Sequence, residues 1–149
     1  MSDFELTSPA FDHEGLIPRK YTCQGEDVNP ELHIQGTPED AQTLVLIMDD
    51  PDAPMGTWVH WVVYNIDPAI SQIPEKSVPP SAVQGRNSWR RNTYGGPCPP
   101  SGTHRYYFKL YALDIVLNLP IKSNKKVVVA AMKGHILAEA VLMGKYKKT

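Results

Sequence analysis

Two acidic side chains lie on a proline-stiffened corner of the chain, in the run Asp50-Pro51-Asp52-Ala53-Pro54. His60 follows in the next apolar segment, and His104 and Tyr106 belong to a later one. A carboxylate beside imidazole rings can do acid–base work, and it also favours the cationic form of the rings, which can hold an anion such as phosphate. If these segments meet, we expect a small polar pocket walled by Trp, Tyr and Pro.

Three apolar segments would have to position these side chains. Residues 43–48 are almost continuously apolar, which is typical of a central strand. Residues 58–66 and 104–112 are rich in aromatic and β-branched residues, and we expect them to be strands that bring their ends to the same place. Alternation along the last strand puts His104 and Tyr106 on one face and Arg105 on the other.

A long irregular stretch, residues 68–100, leads into the last of these strands. Loops of this length in a compact domain are usually functional or ordered by their own contacts. Its end is rich in proline and glycine, and Gly95 and Gly96 allow the backbone to approach another group closely. We therefore expect Pro99 and Pro100 to form a stiff approach to His104.

The composition favours one mainly β domain spanning residues 1–149. Fourteen prolines and ten glycines separate short runs rich in Val, Ile, Tyr and Trp, as in an antiparallel β-sandwich with long loops. Short strands are predicted at residues 4–6, 20–22 and 31–35. One or two C-terminal helices should pack on the sandwich, with Ser123 as N-cap, Gly134 as a break, helical spacing over residues 136–141 and Gly144 as terminator.

The net charge and the number of cysteines limit the classes of function that we expect for this protein. Fifteen basic against sixteen acidic residues argue against nucleic-acid binding through bulk charge, and the late lysines fit a solvated face and tail. No segment reaches the ~20 apolar residues of a membrane span, and no secretory signal is visible, so a cytoplasmic location is expected. In that compartment Cys23 and Cys98 are expected to be two reduced thiols, although turn residues beside them could bring them together.

Several site residues have a structural interpretation beside the functional one. Asp52 is better explained as a cap of its own turn than as a ligand contact. Arg105 fits an ion pair that locks the acidic corner better than it fits anion contact. For His60 a satisfied buried histidine and a ligand-binding one are equally compatible with the spacing, and Trp58 fits a core or pocket wall.

The motifs together resemble the signature of the phosphatidylethanolamine-binding protein family. They are Asp50-Pro-Asp-Ala-Pro54, then His60-Trp61, then Gly102-Thr-His-Arg-Tyr106. Residues 21–30, 95–105 and 134–140 are similar to the short bacterial and archaeal branch, often labelled Raf-kinase-inhibitor-like. The resemblance covers nearly the whole chain.

The resemblance implies a β-sandwich with peripheral helices and a pocket for a phosphate or phospho-headgroup. It assigns ligand binding to seven positions: Asp50, Pro54, His60, Pro99, Pro100, His104 and Tyr106. Asp52, Arg105, Trp58 and Gly96 would support the site. The eukaryotic C-terminal helix that contributes to the pocket rim has no counterpart here, so the pocket should be more open. Dimerisation is common in the microbial branch, and a homodimer is expected.

Two function classes follow. The first is a small-anion or phospho-headgroup binding protein with a regulatory or inhibitory role toward a protein partner, a kinase or a protease. The second is a phosphoester hydrolase that uses an Asp/His pair. Binding without catalysis is favoured because no Ser, Thr or Cys stands in a recognised nucleophile motif, Cys98 being the only candidate. No metal site and no cofactor are predicted, since the family pocket binds anions.

Overall fold

Two antiparallel β-sheets and one α-helix make up the computed structural model, which describes residues 3–149. The smaller sheet has the strand order β1-β2-β5 and the larger one β6-β4-β3-β7-β8. This mainly β, antiparallel architecture confirms the predicted fold class. The elements are β1 Glu5–Thr7, β2 Leu32–Gln35, β3 Thr43–Asp50, β4 Trp58–Ile66, β5 Gln72–Ile73, β6 Val83–Gln84, β7 Thr103–Leu113, α1 Lys125–Met132 and β8 Ile136–Lys147.

Strand β3 is buried along its whole length because both of its faces are covered. Leu46 and Met48 point into the core between the two sheets, whereas Val45 and Ile47 belong to an outer cluster that α1 covers through Val128. Burial on both faces explains why residues 43–48 carry no polar side chain after Thr43. The predicted central position of this segment is therefore confirmed.

The pairing of β3 brings three functional segments to one end of the larger sheet. Asp50 at the end of β3 lies opposite Trp58 at the start of β4, and Asp49 lies opposite Tyr107 near the start of β7. Since both neighbours run antiparallel to β3, the end of β3 meets the beginnings of β4 and β7. The acidic corner and the two histidine-bearing strands thus meet, as the sequence predicted.

The prediction of a second C-terminal helix is wrong. Residues 136–141 begin the twelve-residue strand β8, which pairs with β7 from Thr103–Lys147 to Leu113–Ile136. Their alanines, leucine and glutamate favour a helix locally, but the unpaired backbone groups along β7 require a partner strand. Gly134, with φ of +84°, makes the break as predicted, between α1 and a strand.

Three smaller predictions at element ends also need correction. The N-cap of α1 is Asn124, whose Oδ1 accepts from the Val127 N–H at 3.1 Å, while Ser123 is buried one residue earlier. Residues 20–22 form no edge strand, because Arg19–Tyr21 is a 3₁₀ turn. Gly144 ends no helix; it lies inside β8, where a Cβ would press against the side chains of Ile17 and Phe11.

Within residues 3–149, α1 is far too short to cross a bilayer, and no helix there is suited to do so.

Candidate functional site

The acidic corner is built around Asp50, which is 3 % exposed. Its Oδ1 accepts the backbone N–H of Asp52 at 2.7 Å, which closes the turn, and its Oδ2 lies 2.6 Å from His104 Nδ1. One carboxylate thus both caps the turn after β3 and holds the histidine of β7. The neighbouring Asp49 faces the other side of the sheet, where its Oδ2 lies 3.1 Å from Lys109 Nζ and 2.7 Å from Lys125 Nζ.

A β-bulge turns His60 toward the same pocket. The register between β3 and β4 shifts after Met48–Trp61, so that Asp49 pairs with Val59 and His60 has no partner on β3. Without this bulge His60 would face the outer cluster, since Val62 does and side chains alternate along a strand. Instead its ring lies edge-on to Tyr106, with 5.2 Å between ring centroids.

The His60 imidazole is buried and is held through one nitrogen. Its Nδ1 donates to the Gly95 carbonyl at 2.7 Å, which leaves Nε2 as an acceptor when the ring is neutral. Burial lowers the pKa of His60 below its ordinary value, although the Gly95 hydrogen bond and the charge of Asp50 oppose this. The expectation that the nearby carboxylate makes His60 cationic is therefore wrong, because desolvation outweighs the attraction.

Tyr106 connects the two histidines. Its ring stacks on His104 with centroids 6.4 Å apart. Its hydroxyl is buried near Asp50 and the Cys98 backbone and makes no well-formed hydrogen bond with any residue in 3–149. Burial, followed by the charge of Asp50, raises the pKa of Tyr106, so the hydroxyl keeps its proton. A buried donor that lacks an acceptor is costly, and a polar ligand in the pocket would satisfy it.

These side chains line a cavity of about 290 Å³ at the end of the larger sheet. The structure brings together all seven predicted ligand-binding residues on its wall, along with Trp58: Asp50, Pro54, His60, Pro99, Pro100, His104 and Tyr106. Four residues in the wall were not predicted, namely Ala53, Met55, Gly56 and Trp89. Cys98, considered only as a candidate nucleophile, also lines the cavity. Trp89 packs edge-on against both Trp58 and His60, at 5.5 and 5.0 Å between centroids.

Asp52 and Arg105 stand outside this wall and form the ion pair that was expected for Arg105. The prediction that Asp52 caps its own turn is wrong, because Asp50 caps that turn and the Asp52 carboxylate pairs with Arg105 instead. Arg105 Nη2 lies 2.7 Å from Asp52 Oδ1, and both its Nε and its backbone N lie 2.9 Å from Oδ2. The Arg105 guanidinium lowers the pKa of Asp52 to about 2. The corner is therefore tied to the first residues of β7 by a bidentate, charge-assisted contact.

Cys23 and Cys98 form a disulfide bond, with 5.4 Å between their Cα atoms, so the expectation of two reduced thiols is wrong. Beside it Gly96 N donates to Asp27 Oδ1 at 2.8 Å, and a Cβ at Gly96 would collide with the Tyr21 carbonyl. This close packing explains the glycine. Disulfides are more usual in oxidising compartments, so the cytoplasmic location stays a prediction.

The geometry defines a class of site. A small cavity at a sheet end presents two imidazoles, a carboxylate that orients one of them, and a phenol donor, all framed by aromatic and proline walls. Among residues 3–149, no group of three His, Cys, Asp or Glu side chains is placed to hold a metal ion. The arrangement suits a compact polar group that accepts hydrogen bonds.

Comparison with known proteins identifies the family. The model of the phosphatidylethanolamine-binding protein family matches residues 7–147, and the chain belongs to this family. A UPF0098 protein of Methanothermobacter thermautotrophicus is 47 % identical over 148 residues, covering 96 % of this chain and 98 % of its own. A UPF0098 protein of Chlamydia trachomatis is 46 % identical over 149 residues, with 97 % and 99 % covered.

Solved structures agree with this assignment. A chlamydial homolog of phosphatidylethanolamine-binding protein, from Chlamydia trachomatis, superposes with a TM-score of 0.96 at 44 % identity, and each chain is covered completely. The E. coli protein YbcL, described as a member of the mammalian family, gives a TM-score of 0.90 at 29 % identity, covering 99 % of this chain and 100 % of its own.

Proposed function

We propose that the protein binds a small anion or a phosphorylated headgroup in the pocket at the end of β3. The observation that carries the proposal is the His104 ring, held at Nδ1 by the Asp50 carboxylate in the pocket wall. When an anion approaches Nε2, a proton there makes the ring a charged donor. The carboxylate on the opposite nitrogen then stabilises the resulting imidazolium.

The other polar groups complement such a ligand. The buried Tyr106 hydroxyl supplies a neutral donor, and neutral His60 supplies an acceptor at Nε2. Such a set fits a phosphate that keeps one proton, or a phosphate joined to an ammonium group, better than a fully ionised anion. The family name, phosphatidylethanolamine-binding protein, supports the same chemistry. A regulatory or inhibitory role toward a protein partner, a kinase or a protease, is proposed from the sequence resemblance alone.

A phosphate titration followed by NMR tests the pocket. At pH 6 we expect millimolar phosphate to shift the ring signals of His60 and His104, while His13, His33 and His135, which lie outside the pocket, act as internal controls. His104→Ala should abolish the shift at His60 with the β-sheet signals unchanged. Absence of any shift at millimolar phosphate would refute the proposal.

We propose binding without turnover, and the alternative of phosphoester hydrolysis is tested separately. Cys98, the candidate nucleophile at the pocket, is joined to Cys23 in the disulfide and carries no free thiol. Covalent catalysis through this residue would therefore need prior reduction. Hydrolysis of a panel of phosphoesters that disappears in Asp50→Asn would favour the enzyme instead.

We further propose that two copies associate through strand β8. Residues 14–17 pair with β8 at Met143 and Lys145, but no strand within residues 3–149 pairs with its other half, at the edge of the larger sheet. Leu137 and Val141, in that half, are 41 % and 48 % exposed. An unpaired apolar edge is suited to antiparallel pairing with its own copy.

Light scattering on the purified protein tests this association. The expected mass is that of a dimer, and Val141→Lys should convert it to a monomer, because it would place a charge in the apolar edge that the two copies bury. Lys147→Val, outside the open half of β8, is the control. A monomeric wild-type protein, or a dimer that tolerates Val141→Lys, would contradict the proposal.

A further inference from the structure

A second cavity, of about 810 Å³, lies on the outer face of the larger sheet, between α1, the start of β4 and the loop after β6. It is separate from the pocket, because Val59 faces it while the adjacent His60 faces the pocket. Ser88 closes the boundary between them through its hydroxyl, which accepts from Val59 N at 2.8 Å, and its N–H, which donates to Val59 O at 2.9 Å.

The charges around this groove all have the same sign. Arg86, Lys125, Lys126 and Lys133 line it, and none of the described residues in its wall is acidic. Lys125 is paired with the buried Asp49. The side chains of Arg86, Lys126 and Lys133 make no hydrogen bond or ion pair with any residue in 3–149, and Arg86 Nε is buried without an acceptor. Three cations therefore face one groove without counterions from the described part of the chain.

The groove is not a uniformly polar surface. Val129, 40 % exposed, and Ile136, also 40 % exposed, present apolar surface between the cations. Its length follows from α1, since Lys126 lies in the first turn and Lys133 directly follows the last residue of the helix, about 10 Å further along its axis. An extended peptide covers that distance with about three residues. Apolar side chains could then lie on Val129 while carboxylates reach the lysines and the planar Arg86 guanidinium.

We propose that this groove binds a short acidic peptide segment of a partner protein, in which carboxylates alternate with apolar residues. The site is distinct from the headgroup pocket, and it gives the solvated lysines of α1 a role in recognition. Charge complementarity identifies the occupant, because the three cations of the groove select carboxylates. The apolar surface of Val129 and Ile136 selects apolar residues between those carboxylates.

The test uses a fluorescently labelled, blocked hexapeptide of alternating glutamate and leucine. We expect saturable binding by fluorescence anisotropy that weakens at least tenfold in 0.5 M NaCl, because the contacts are ionic and exposed. NMR shifts should map to Ser88, Val129 and Ile136 rather than to His60 and His104. Peptides of glutamine with leucine, and of glutamate with serine, should each bind at least tenfold more weakly.

A pair of charge-reversed proteins completes the test. Lys126→Glu combined with Lys133→Glu should reduce affinity for the glutamate–leucine peptide at least tenfold. Lys147→Glu combined with Lys148→Glu alters net charge equally, lies outside the groove and should bind like wild type. An equal loss of peptide affinity in both double variants would show that the effect comes from net charge alone, and would overturn the proposal. Absence of binding, or shifts confined to the pocket, would also overturn it.

Discussion

Asp50→Asn is expected to weaken phosphate binding by about thirtyfold while leaving the protein folded. Asparagine has nearly the same shape, and its Oδ1 can still accept a hydrogen bond within the corner that Asp50 now caps. It has no charge, however, so it loses the charge-assisted contact that holds the His104 ring in the pocket wall. Losing a charge-assisted contact of this kind costs about 2 kcal/mol, which corresponds to about thirtyfold in affinity.

The adjacent carboxylate provides a matched control. Asp49→Asn makes the same chemical change one residue earlier, but on the opposite face of β3, where Asp49 pairs with Lys109 and Lys125. It should lower the free energy of unfolding without changing phosphate affinity. Calorimetric titration with phosphate at pH 6 measures the affinity of both variants. Equal losses of affinity in the two, or an unchanged affinity in Asp50→Asn, would show that the Asp50–His104 pair does not hold the anion.

The strands that carry the site were predictable because their patterns depend on burial. The apolar run at residues 43–48 and the alternation around His104 and Tyr106 both follow from which faces are covered. Strand β8 was not predictable in the same way. The sequence of β8 is compatible with a helix. It forms a strand because it pairs with β7, whose residues lie far away in the chain.

The site was predictable in composition but not in orientation. The order of the motifs indicated that Asp50 and His104 meet. Alternation along β4 alone, however, would place His60 on the face of the sheet away from the pocket. The bulge opposite β3 turns His60 back toward the pocket. The lowered pKa of His60 follows from burial, which no local sequence pattern reveals. Trp89 gave one weak signal, as an aromatic residue within the long loop, but its contacts with Trp58 and His60 depend on the loop's path.

Replacing Cys23 and Cys98 together by alanine is expected to lower the free energy of unfolding by 2–4 kcal/mol, as is typical of a removed disulfide. The two cysteines are 75 residues apart in the sequence, so the bond closes a long loop and restricts the unfolded chain strongly. Urea unfolding with and without reductant measures the effect. Reduced wild-type protein should match the double variant, since Cys23 is exposed and open to reductant.

The same substitution should also weaken phosphate binding, because the disulfide joins the pocket to the N-terminal part of the chain. Cys98 lines the cavity next to Pro99, and on the other side Cys23 N donates to the Pro97 carbonyl at 3.1 Å. Once the covalent bond is lost, hydrogen bonds must hold the wall, namely this one, the Gly96–Asp27 contact and the one that Tyr94 Oη donates to the Tyr21 carbonyl. Affinity should therefore fall under conditions in which circular dichroism shows the variant fully folded. Loss of stability with unchanged phosphate affinity would show that the disulfide stabilises the fold but does not shape the pocket. Unchanged stability under reduction would show that closing the loop does not stabilise the protein.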